Sequence, residues 1–291
     1  MSGSVEQSRI TQRFAMLKQQ NRAGLVTFIT ANDPNAEVFG QILKGMPAAG
    51  ADLIELGMPF SDPMADGPSI QLSSQRALCA GVTLQGVLDA VAAMREWETD
   101  TPIIIMGYYN PIYQFGPEKF ARTAAKAGVD GLIVVDLPPE ESEELNQHLR
   151  GHGIHLIFLA APTTDSTRLP RVIEHASGFL YYVAVKGVTG TKSADMNHVG
   201  KAVSDIRQST DIPVGVGFGI RTSDQAAEVA VFADAVVVGS AIVDIISEGL
   251  ESDGIADADL TKRVLAFVRS LSQGVRGARP GSETKAAGGE H

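Results

Sequence analysis

The sequence predicts an α/β protein, a single-domain (β/α)8 TIM barrel with an extra helix at the N-terminus. Eight short apolar runs alternate with helical patterns, and no long gap separates them. The runs show little polar alternation, as expected for parallel strands that are covered on both faces. The barrel is assigned to residues 1–273 of the 291, which suits a fold that typically needs roughly 250 residues.

The predicted strands and helices alternate along the chain. An amphipathic helix at 5–20 comes first, with Ile10, Phe14 and Leu17 on one face. Strands are predicted at 25–30, 52–56, 102–106, 130–135, 154–159, 178–185, 213–217 and 235–238. Helices are predicted at 33–49, 69–80, 83–98, 117–128, 138–150, 165–175, 196–208, 223–230, from 239 onward and at 260–271, with a loop at 107–111. Residues 274–291 are rich in glycine, alanine and charge, which predicts a disordered tail.

An open, doubly wound sheet is the alternative architecture. Such sheets bind dinucleotides through a glycine fingerprint between a strand and a helix. Here Gly215, Gly217 and Gly219 give the first part of a similar pattern, but Ile220 stands where the last glycine of the fingerprint is needed. The fingerprint is therefore incomplete, and the barrel is the favoured prediction.

Composition narrows the classes of function. The chain carries 34 acidic and 24 basic side chains, a net charge of -10, which makes nucleic acids and anionic membranes poor partners. No apolar run approaches the roughly 18 residues of a membrane-spanning helix. Cys79 is the only cysteine, so an internal disulfide is impossible and a reducing, cytoplasmic location is predicted.

Two acidic residues lie at and after the end of the second predicted strand. Glu55 is inside the apolar run 52–56, where an unpaired charge is costly and the pKa of a carboxyl rises. Asp66 follows in a loop that Pro59 and Pro63 stiffen. Acids at the carboxyl end of a barrel strand are typical of general acid–base catalysis. The alternative interpretation is an acidic surface loop.

Glycine-rich loops follow the last three predicted strands. If the fold is a barrel, the carboxyl ends of its strands share one mouth, and these loops meet there. Gly190, Gly219 and Gly239 lie in them, and Ser240 opens the next helix. Backbone N–H groups at such a helix N-terminus favour an anion, so a phosphate site is predicted. The alternative is that these are ordinary turn glycines.

Three histidines have the spacing of metal ligands. His148, His152 and His155 lie before and at the start of the fifth predicted strand, which places them on the face of the barrel opposite the mouth. We therefore predict no metal site. Lys186 and Lys192 could serve as Schiff-base amines, but lysines of that kind are usually buried, and these lie in a polar loop.

Several motifs, in order along the chain, resemble those of the tryptophan synthase alpha chain family. They are Glu-Leu-Gly-Met-Pro-Phe-Ser-Asp-Pro-Met-Ala-Asp-Gly-Pro at 55–68, Gly-Tyr-Tyr-Asn-Pro at 107–111, Asp-Leu-Pro at 136–138, Gly-Val-Thr-Gly at 187–190, Gly-Phe-Gly-Ile at 217–220 and Gly-Ser at 239–240. The resemblance implies a (β/α)8 barrel that cleaves indole-3-glycerol phosphate to indole and glyceraldehyde 3-phosphate. It also implies an α2β2 complex with a beta chain that carries pyridoxal phosphate, whereas the alpha chain itself uses no cofactor.

The same resemblance assigns roles to individual residues. It implies that Glu55 is the general acid and base and that Asp66 is the second catalytic carboxylate. The residues that it implies for substrate binding are Phe28 and Tyr108 near the indole, Tyr181 in the active site, and Gly190, Gly219, Gly239 and Ser240 around the phosphate. The residues that it implies for contact with the beta chain are Pro59, Asp62 and Asn110.

Two other functions stay open from the sequence. One is a different sugar-phosphate barrel, either an isomerase or an indole-glycerol-phosphate synthase; the latter needs a lysine at a strand end. The other is a non-catalytic barrel that only activates a partner enzyme. Such a subunit would keep its interface and lose its acids, whereas Glu55 and Asp66 are both present.

Overall fold

A computed structural model describes residues 8–184, 196–217, 219–252 and 254–279. Within these residues, nine parallel strands form one sheet in the order β5-β4-β3-β2-β1-β9-β8-β7-β6. The strands are β1 (Gly24–Thr30), β2 (Leu53–Gly57), β3 (Ile103–Gly107), β4 (Gly131–Val134), β5 (His155–Leu156), β6 (Leu159–Ala160), β7 (Leu180–Val183), β8 (Val214–Gly217) and β9 (Ala235–Val238).

The sheet closes on itself at β5 and β6. These two short strands divide the single strand that the sequence predicted at 154–159. β5 pairs with β4 and β6 pairs with β7. Between them, the Ile157 N–H donates to the Leu132 carbonyl at 2.9 Å, and the Phe158 carbonyl accepts from the Tyr181 N–H at 3.0 Å. One segment thus pairs with both ends of the sheet. Because β5 and β6 together take the place of one strand, this confirms the predicted eight-stranded barrel.

Helices cover the outside of the barrel. They are α1 (Arg9–Gln19), α2 (Ala36–Ala49), α3 (Pro68–Cys79), α4 (Leu84–Arg95), α5 (Tyr109–Phe115), α6 (Pro117–Ala127), α7 (Glu143–Gly151), α8 (Leu169–His175), α9 (Met196–Arg207), α10 (Ser223–Ala230), α11 (Ser240–Glu248) and α12 (Leu260–Gly277). The predicted helix at 138–150 begins with a separate 3-10 turn, Pro139–Glu141. The burial of apolar side chains between the helices and the strands forms the larger of two cores.

Two sequence predictions about helices were wrong. Residues from Tyr109 onward form helix α5 instead of a loop, and Pro111 is tolerated because it lies in the first turn, where backbone N–H groups have no partner in the helix. The last helix extends to Gly277, so the predicted tail does not begin at 274. Val275 is buried and continues the apolar stripe of Val268 and Leu271. Residues 280–291 lie outside the described part of the chain.

Helix α1 closes the N-terminal end of the barrel. Its buried residues Ile10, Phe14 and Leu17 pack against the side chains that fill the barrel interior. The rings of Phe14 and Phe179 lie 5.7 Å apart, centroid to centroid. The predicted amphipathic face of the N-terminal helix is therefore the plug of the inner core. All strand carboxyl ends open at the opposite end, which leaves a single mouth for a ligand.

The ionic side chains at the closed end are paired. Arg22 donates to both carboxylate oxygens of Asp52, each at 2.8 Å. Asp130 accepts from Arg9 at 2.9 Å and from Arg95 at 2.7 Å. His155, one of the three histidines considered for metal binding, is buried and lies 2.7 Å from the Ser8 hydroxyl through Nε2.

Replacing Phe14 with alanine should destabilise the protein by about 3–5 kcal/mol, because it leaves a cavity where α1 meets the inner core. Lys18→Ala is the matched control, since Lys18 is exposed on the same helix. Urea unfolding of both variants measures the difference. Equal stability of the two variants would contradict the plug function of α1.

Candidate active site

A cavity of about 180 Å³ opens at the carboxyl ends of the strands. It is lined by Phe28, Glu55, Asp66, Ile70, Met106, Tyr181, Val183, Gly217, Gly219, Ile220, Val237, Gly239 and Ser240. A smaller recess of about 20 Å³ shares Phe28 and Asp66 and continues to Tyr108. The cavity thus brings together the two predicted carboxyls, the predicted aromatic residues and two of the predicted glycines.

Glu55 projects from β2 into the barrel. Its register neighbours are Phe28 on β1 and Ile104 on β3. The residue is only 1% exposed, and no hydrogen-bond partner for Oε1 occurs in the described part of the chain. Burial raises the pKa of Glu55 to about 8. The carboxyl is therefore mostly protonated at neutral pH and faces an apolar cavity as an acid.

Tyr181 on β7 is a second, half-buried polar group beside Glu55. Burial raises the pKa of its hydroxyl, and the negative charge of an ionised Glu55 raises that pKa further. A Cβ added at Gly217 on the next strand would lie 2.6 Å from the Tyr181 Oη. Gly217 therefore provides the space in which the phenol lies, and Tyr181 stays a hydrogen-bond donor throughout the neutral range.

Asp66 lies in the β2–α3 loop and is held by Tyr108. The hydroxyl oxygen of Tyr108 accepts from the Ala65 N–H at 3.0 Å, and the same hydroxyl donates to the Asp66 carboxylate. Burial raises the pKa of Asp66, and the bond from Tyr108 opposes that rise. Burial also raises the pKa of Tyr108, to about 12. The two carboxyls of the cavity thus have different surroundings.

Phe28 forms one wall of the cavity at the end of β1. A Cβ added at Gly57 would lie 2.5 Å from its Cζ, and one added at Gly239 would lie 3.3 Å from its Cβ. Gly57 on β2 and Gly239, just after β9, therefore leave space for the Phe28 side chain. Phe28 is itself buried, so its ring is a fixed surface against which a flat, apolar ligand can pack.

The predicted phosphate residues lie at the rim of the same cavity. Gly219 has a φ of 45°, a conformation that favours glycine, and is exposed. Gly239 immediately precedes α11, whose first residue is Ser240. The first N–H groups of a helix have no partner within it, so this end can bind an anion. Gly190, with the whole of 185–195, lies outside the described residues.

The residues predicted to meet a partner differ in exposure. Asp62 is exposed on the loop after β2 and Asn110 is exposed in the first turn of α5, whereas Pro59 is buried within the chain. Two apolar side chains near them were missed by sequence reasoning. Met64 is 84% exposed and Tyr113 is 58% exposed. Their positions in a loop and a short helix beside the mouth were the only available signal.

Sequence reasoning also missed the apolar lining of the cavity. Met106, Val183 and Val237 contribute to it from three different strands, and each lies two residues after a barrel-interior position. The alternation of side chains along a strand could have identified them. Among the described residues, no group of three or more histidine, cysteine, aspartate or glutamate side chains is placed to hold a metal ion.

A protonated carboxyl facing an apolar cavity, with a helix N-terminus at its rim, is typical of barrel enzymes that perform acid–base chemistry on anionic substrates. A family model described as "Tryptophan synthase alpha chain" matches residues 14–276. A tryptophan synthase alpha chain from Caulobacter vibrioides is 58% identical over 275 residues, which cover 94% of this chain and 98% of the relative. The chain therefore belongs to the tryptophan synthase alpha chain family.

Solved structures agree with this assignment. Tryptophan synthase subunit alpha from Legionella pneumophila superposes with a TM-score of 0.84 at 38% identity, covering 92% of this chain and 98% of the other. A chain of tryptophan synthase from M. tuberculosis gives a TM-score of 0.81 at 33% identity, covering 92% and 99%. The reaction of the family is the cleavage of indole-3-glycerol phosphate to indole and glyceraldehyde 3-phosphate, a carbon–carbon lyase reaction in tryptophan biosynthesis.

Membership of the family also implies a beta-chain partner, and the alpha chain of the family needs no cofactor of its own. In the described part of the chain, no single helix is long and apolar enough to cross a membrane. Only α3 and α4 taken together would suffice by length and composition, and they are bent by 93° relative to each other.

The pKa of Glu55 makes the stability of the protein depend on pH. Between the ordinary pKa of 4.5 and about 8, the folded protein binds this proton more tightly than the unfolded chain does. The contribution of Glu55 to stability is therefore full below pH 4.5 and is lost as the pH rises toward 8. Glu55→Gln should remove this dependence, so that the variant is the more stable protein at pH 8.

Thermal or urea unfolding from pH 5 to pH 8.5 measures the effect. The stabilities of wild type and Glu55→Gln should converge toward pH 5. Glu96→Gln is the control, because Glu96 is exposed at the closed end of the barrel, and its curve should run parallel to that of wild type. Parallel curves for Glu55→Gln as well would show that Glu55 titrates normally.

Proposed function

We propose that this chain cleaves indole-3-glycerol phosphate in the cavity at the barrel mouth, with Glu55 as general acid and base and Asp66 as the second catalytic carboxylate. The observation that carries the proposal is the buried Glu55 carboxyl, which has a raised pKa and faces an apolar cavity. The chain would thus perform the lyase reaction of its family with groups that the cavity already holds.

The proposed reaction begins with proton transfer. The bond to break joins C3 of indole to the glycerol phosphate carbon that bears a hydroxyl. Protonated Glu55 gives its proton to C3, which turns the ring into a cation. Ionised Glu55 then takes the proton of the adjacent hydroxyl, a C=O bond forms, and the electrons of the broken C–C bond return to the ring. Indole and an aldehyde leave, and Glu55 is protonated again.

Asp66 would stabilise the cationic ring. The positive charge on C3-protonated indole spreads to the ring nitrogen, whose N–H can donate to a carboxylate. The hydrogen bond from Tyr108 favours the ionised form of Asp66 and fixes one of its oxygens. Phe28 and Tyr108 would contact the indole ring, and Tyr181, still protonated, would donate to an oxygen of the substrate beside Glu55.

The phosphate would bind at the rim, on the N-terminus of α11. Gly219, Gly239 and Ser240 line the cavity there, and their backbone can approach an anion closely. Binding a phosphate remote from the reacting bond supplies the positioning that the chemistry requires. Gly190 is proposed to join this site because of its place in the family motif.

The beta chain would bind over the mouth and carry pyridoxal phosphate, in an α2β2 complex. Exposed Asp62, Asn110 and Met64 offer a surface beside the cavity. Buried Pro59 would act by shaping the loop instead of by direct contact. We further propose a single barrel domain followed by a tail beyond the last helix, and a cytoplasmic location, which the lone cysteine supports.

An indole-release assay with indole-3-glycerol phosphate, with and without a beta chain, tests the function. Wild type should release indole and aldehyde in equal amounts. Glu55→Gln should bind substrate and lose roughly 10²–10⁴-fold in kcat, the usual contribution of an acid–base group. Glu96→Gln should be fully active. Activity of Glu55→Gln within about tenfold of wild type would contradict the role of Glu55.

A competing function predicts a different result in the same assay. An indole-glycerol-phosphate synthase would form this substrate instead of consuming it, and it would use a lysine at a strand end. None of the nine described strands contains a lysine, so we expect no such synthesis.

The Asp66→Asn variant should be strongly impaired in the indole-release assay, because the amide keeps the shape of the side chain and loses its charge.

Partner binding should be coupled to the phosphate site. The loop after β2 carries both Asp62 and Asp66, so a partner that holds Asp62 also biases the position of the carboxylate. Glycerol phosphate should therefore tighten beta-chain binding, as measured by titration. Asp62→Ala should weaken both binding and activation, and Glu96→Ala, at the closed end, should change neither. An unchanged dissociation constant in both experiments would contradict this coupling.

A further inference from the structure

A partly buried ion pair lies behind the cavity, outside the set of residues that line it. Asp33, in the connection from β1 to α2, is almost fully buried. The Arg76 guanidinium on α3 donates to both of its oxygens, from Nε at 2.7 Å and from Nη2 at 2.8 Å. Two parallel bonds of this kind fix the relative orientation of the two side chains as well as their distance.

Helix α3 is also joined to β1 and to α11. The Ser73 hydroxyl donates to the Ile70 carbonyl at 2.9 Å, so the Thr30 hydroxyl at the end of β1 is the donor in the buried 2.6 Å bond to Ser73. Arg76 additionally reaches the Ser247 hydroxyl on α11, from Nη1 at 3.4 Å. Helix α3 is thereby anchored to the strand that carries Phe28 and to the helix that begins at Ser240.

Asp66 is directly connected to this anchored helix. Only Gly67 separates it from the first residue of α3, Pro68. The Gln71 side chain on α3 donates from Nε2 to the Asp66 carbonyl at 2.8 Å. The backbone of Asp66 therefore moves with α3, whereas its carboxylate is held by Tyr108 on the other side.

We propose that the Asp33–Arg76 pair, acting through α3 and Gln71, is a positioning device that sets where the Asp66 carboxylate lies in the cavity. The inference rests on the proposed function, because the position of Asp66 matters only if that carboxylate takes part in the reaction. Asp33, Arg76 and Gln71 do not line the cavity, so they act on the substrate only through neighbours that do. Ile70 on α3 is also such a neighbour, but Gln71 bonds directly to Asp66. A misplacement of about 1 Å at a reacting group can cost on the order of 10²-fold in rate.

The chain offers a matched control for this pair. Arg22 and Asp52 form an equally bidentate and more deeply buried pair, but at the closed end of the barrel. Arg76→Gln and Arg22→Gln should both lower stability, since each leaves a buried carboxylate without its partner. Only Arg76→Gln should lower kcat, by about tenfold or more, with the glycerol phosphate dissociation constant within about twofold of wild type. Arg76→Lys, which keeps the charge but loses the fork, should be intermediate.

A double-mutant cycle separates positioning from general damage. In an Asp66→Asn background, Arg76→Gln should have little further effect on kcat, because the group through which it acts is already impaired. Gln71→Met provides a variant that does not threaten folding, since Gln71 is exposed. It should lower kcat in wild type and not in Asp66→Asn. Amide hydrogen exchange of 58–67 should be faster in Arg76→Gln and Gln71→Met but unchanged in Arg22→Gln.

Three other outcomes would contradict the inference, and each identifies the step that fails. If the Arg76 and Gln71 substitutions lower kcat by the same factor with Asp66 and with Asn at position 66, the pair does not act through Asp66. If exchange of 58–67 is unchanged in both variants, α3 does not hold the loop. If wild type releases no indole at all, the proposed function fails, and the positioning role fails with it even if the exchange data show that α3 holds the loop.

Discussion

The burial of one unpaired carboxyl, Glu55, is the constraint on which the candidate site depends. An unpaired polar group in an apolar interior costs roughly several kcal/mol, and a carboxyl reduces that cost by holding its proton. The surrounding structure has to offset the remainder. It does so with a closed barrel whose inner core is filled from β1 to β9 and plugged by α1. The raised pKa of Glu55 is thus a consequence of the same packing that makes the fold stable.

The two ends of the barrel divide stability and function between them. At the closed end, ionic side chains are satisfied: Asp52 is paired with Arg22, and Asp130 with Arg9 and Arg95. At the mouth, the structure instead has an unpaired carboxyl, glycines that make room for aromatic rings, and a helix N-terminus without a side-chain cap at Gly239. At the closed end, Nδ1 of buried His155 also has no hydrogen-bond partner among the described residues. The unpaired carboxyl, however, lies at the mouth, which is where functional sites are expected.

The sequence predicted most of the fold because strands and helices here have strong local signals. It failed where the structure depends on partners that are distant in sequence. The apolar run 154–159 looks like one strand, and nothing within it shows that Leu156 pairs with β4 whereas Leu159 pairs with β7. Helix α12 extends past 271 because Val275 is buried, although the composition of that segment resembles a tail. Strand pairing decided the first case and burial the second, and both are tertiary properties.

The candidate site shows the same division. Glu55 could be predicted from residue type and position, since an acid in an apolar strand is conspicuous in the sequence. Asp66 could be predicted from its loop after that strand and from the family motif. The contacts that hold Asp66 could not, because the Tyr108 hydroxyl and the Gln71 amide reach it only through the path of the loop. The sequence therefore identified the two acids, and the structure adds the residues that contact them.

Those surroundings separate two carboxyls that share one cavity. Burial raises the pKa of both. For Glu55 nothing among the described residues opposes the rise, so its proton is retained to about pH 8. For Asp66 the Tyr108 hydroxyl donates to the charged form and opposes it. A pair of acids whose environments push their pKa values apart can act as proton donor and as charged acceptor at the same pH. In the proposed reaction, the bond from Tyr108 therefore favours Asp66 as the charged acceptor and leaves Glu55 as the proton donor.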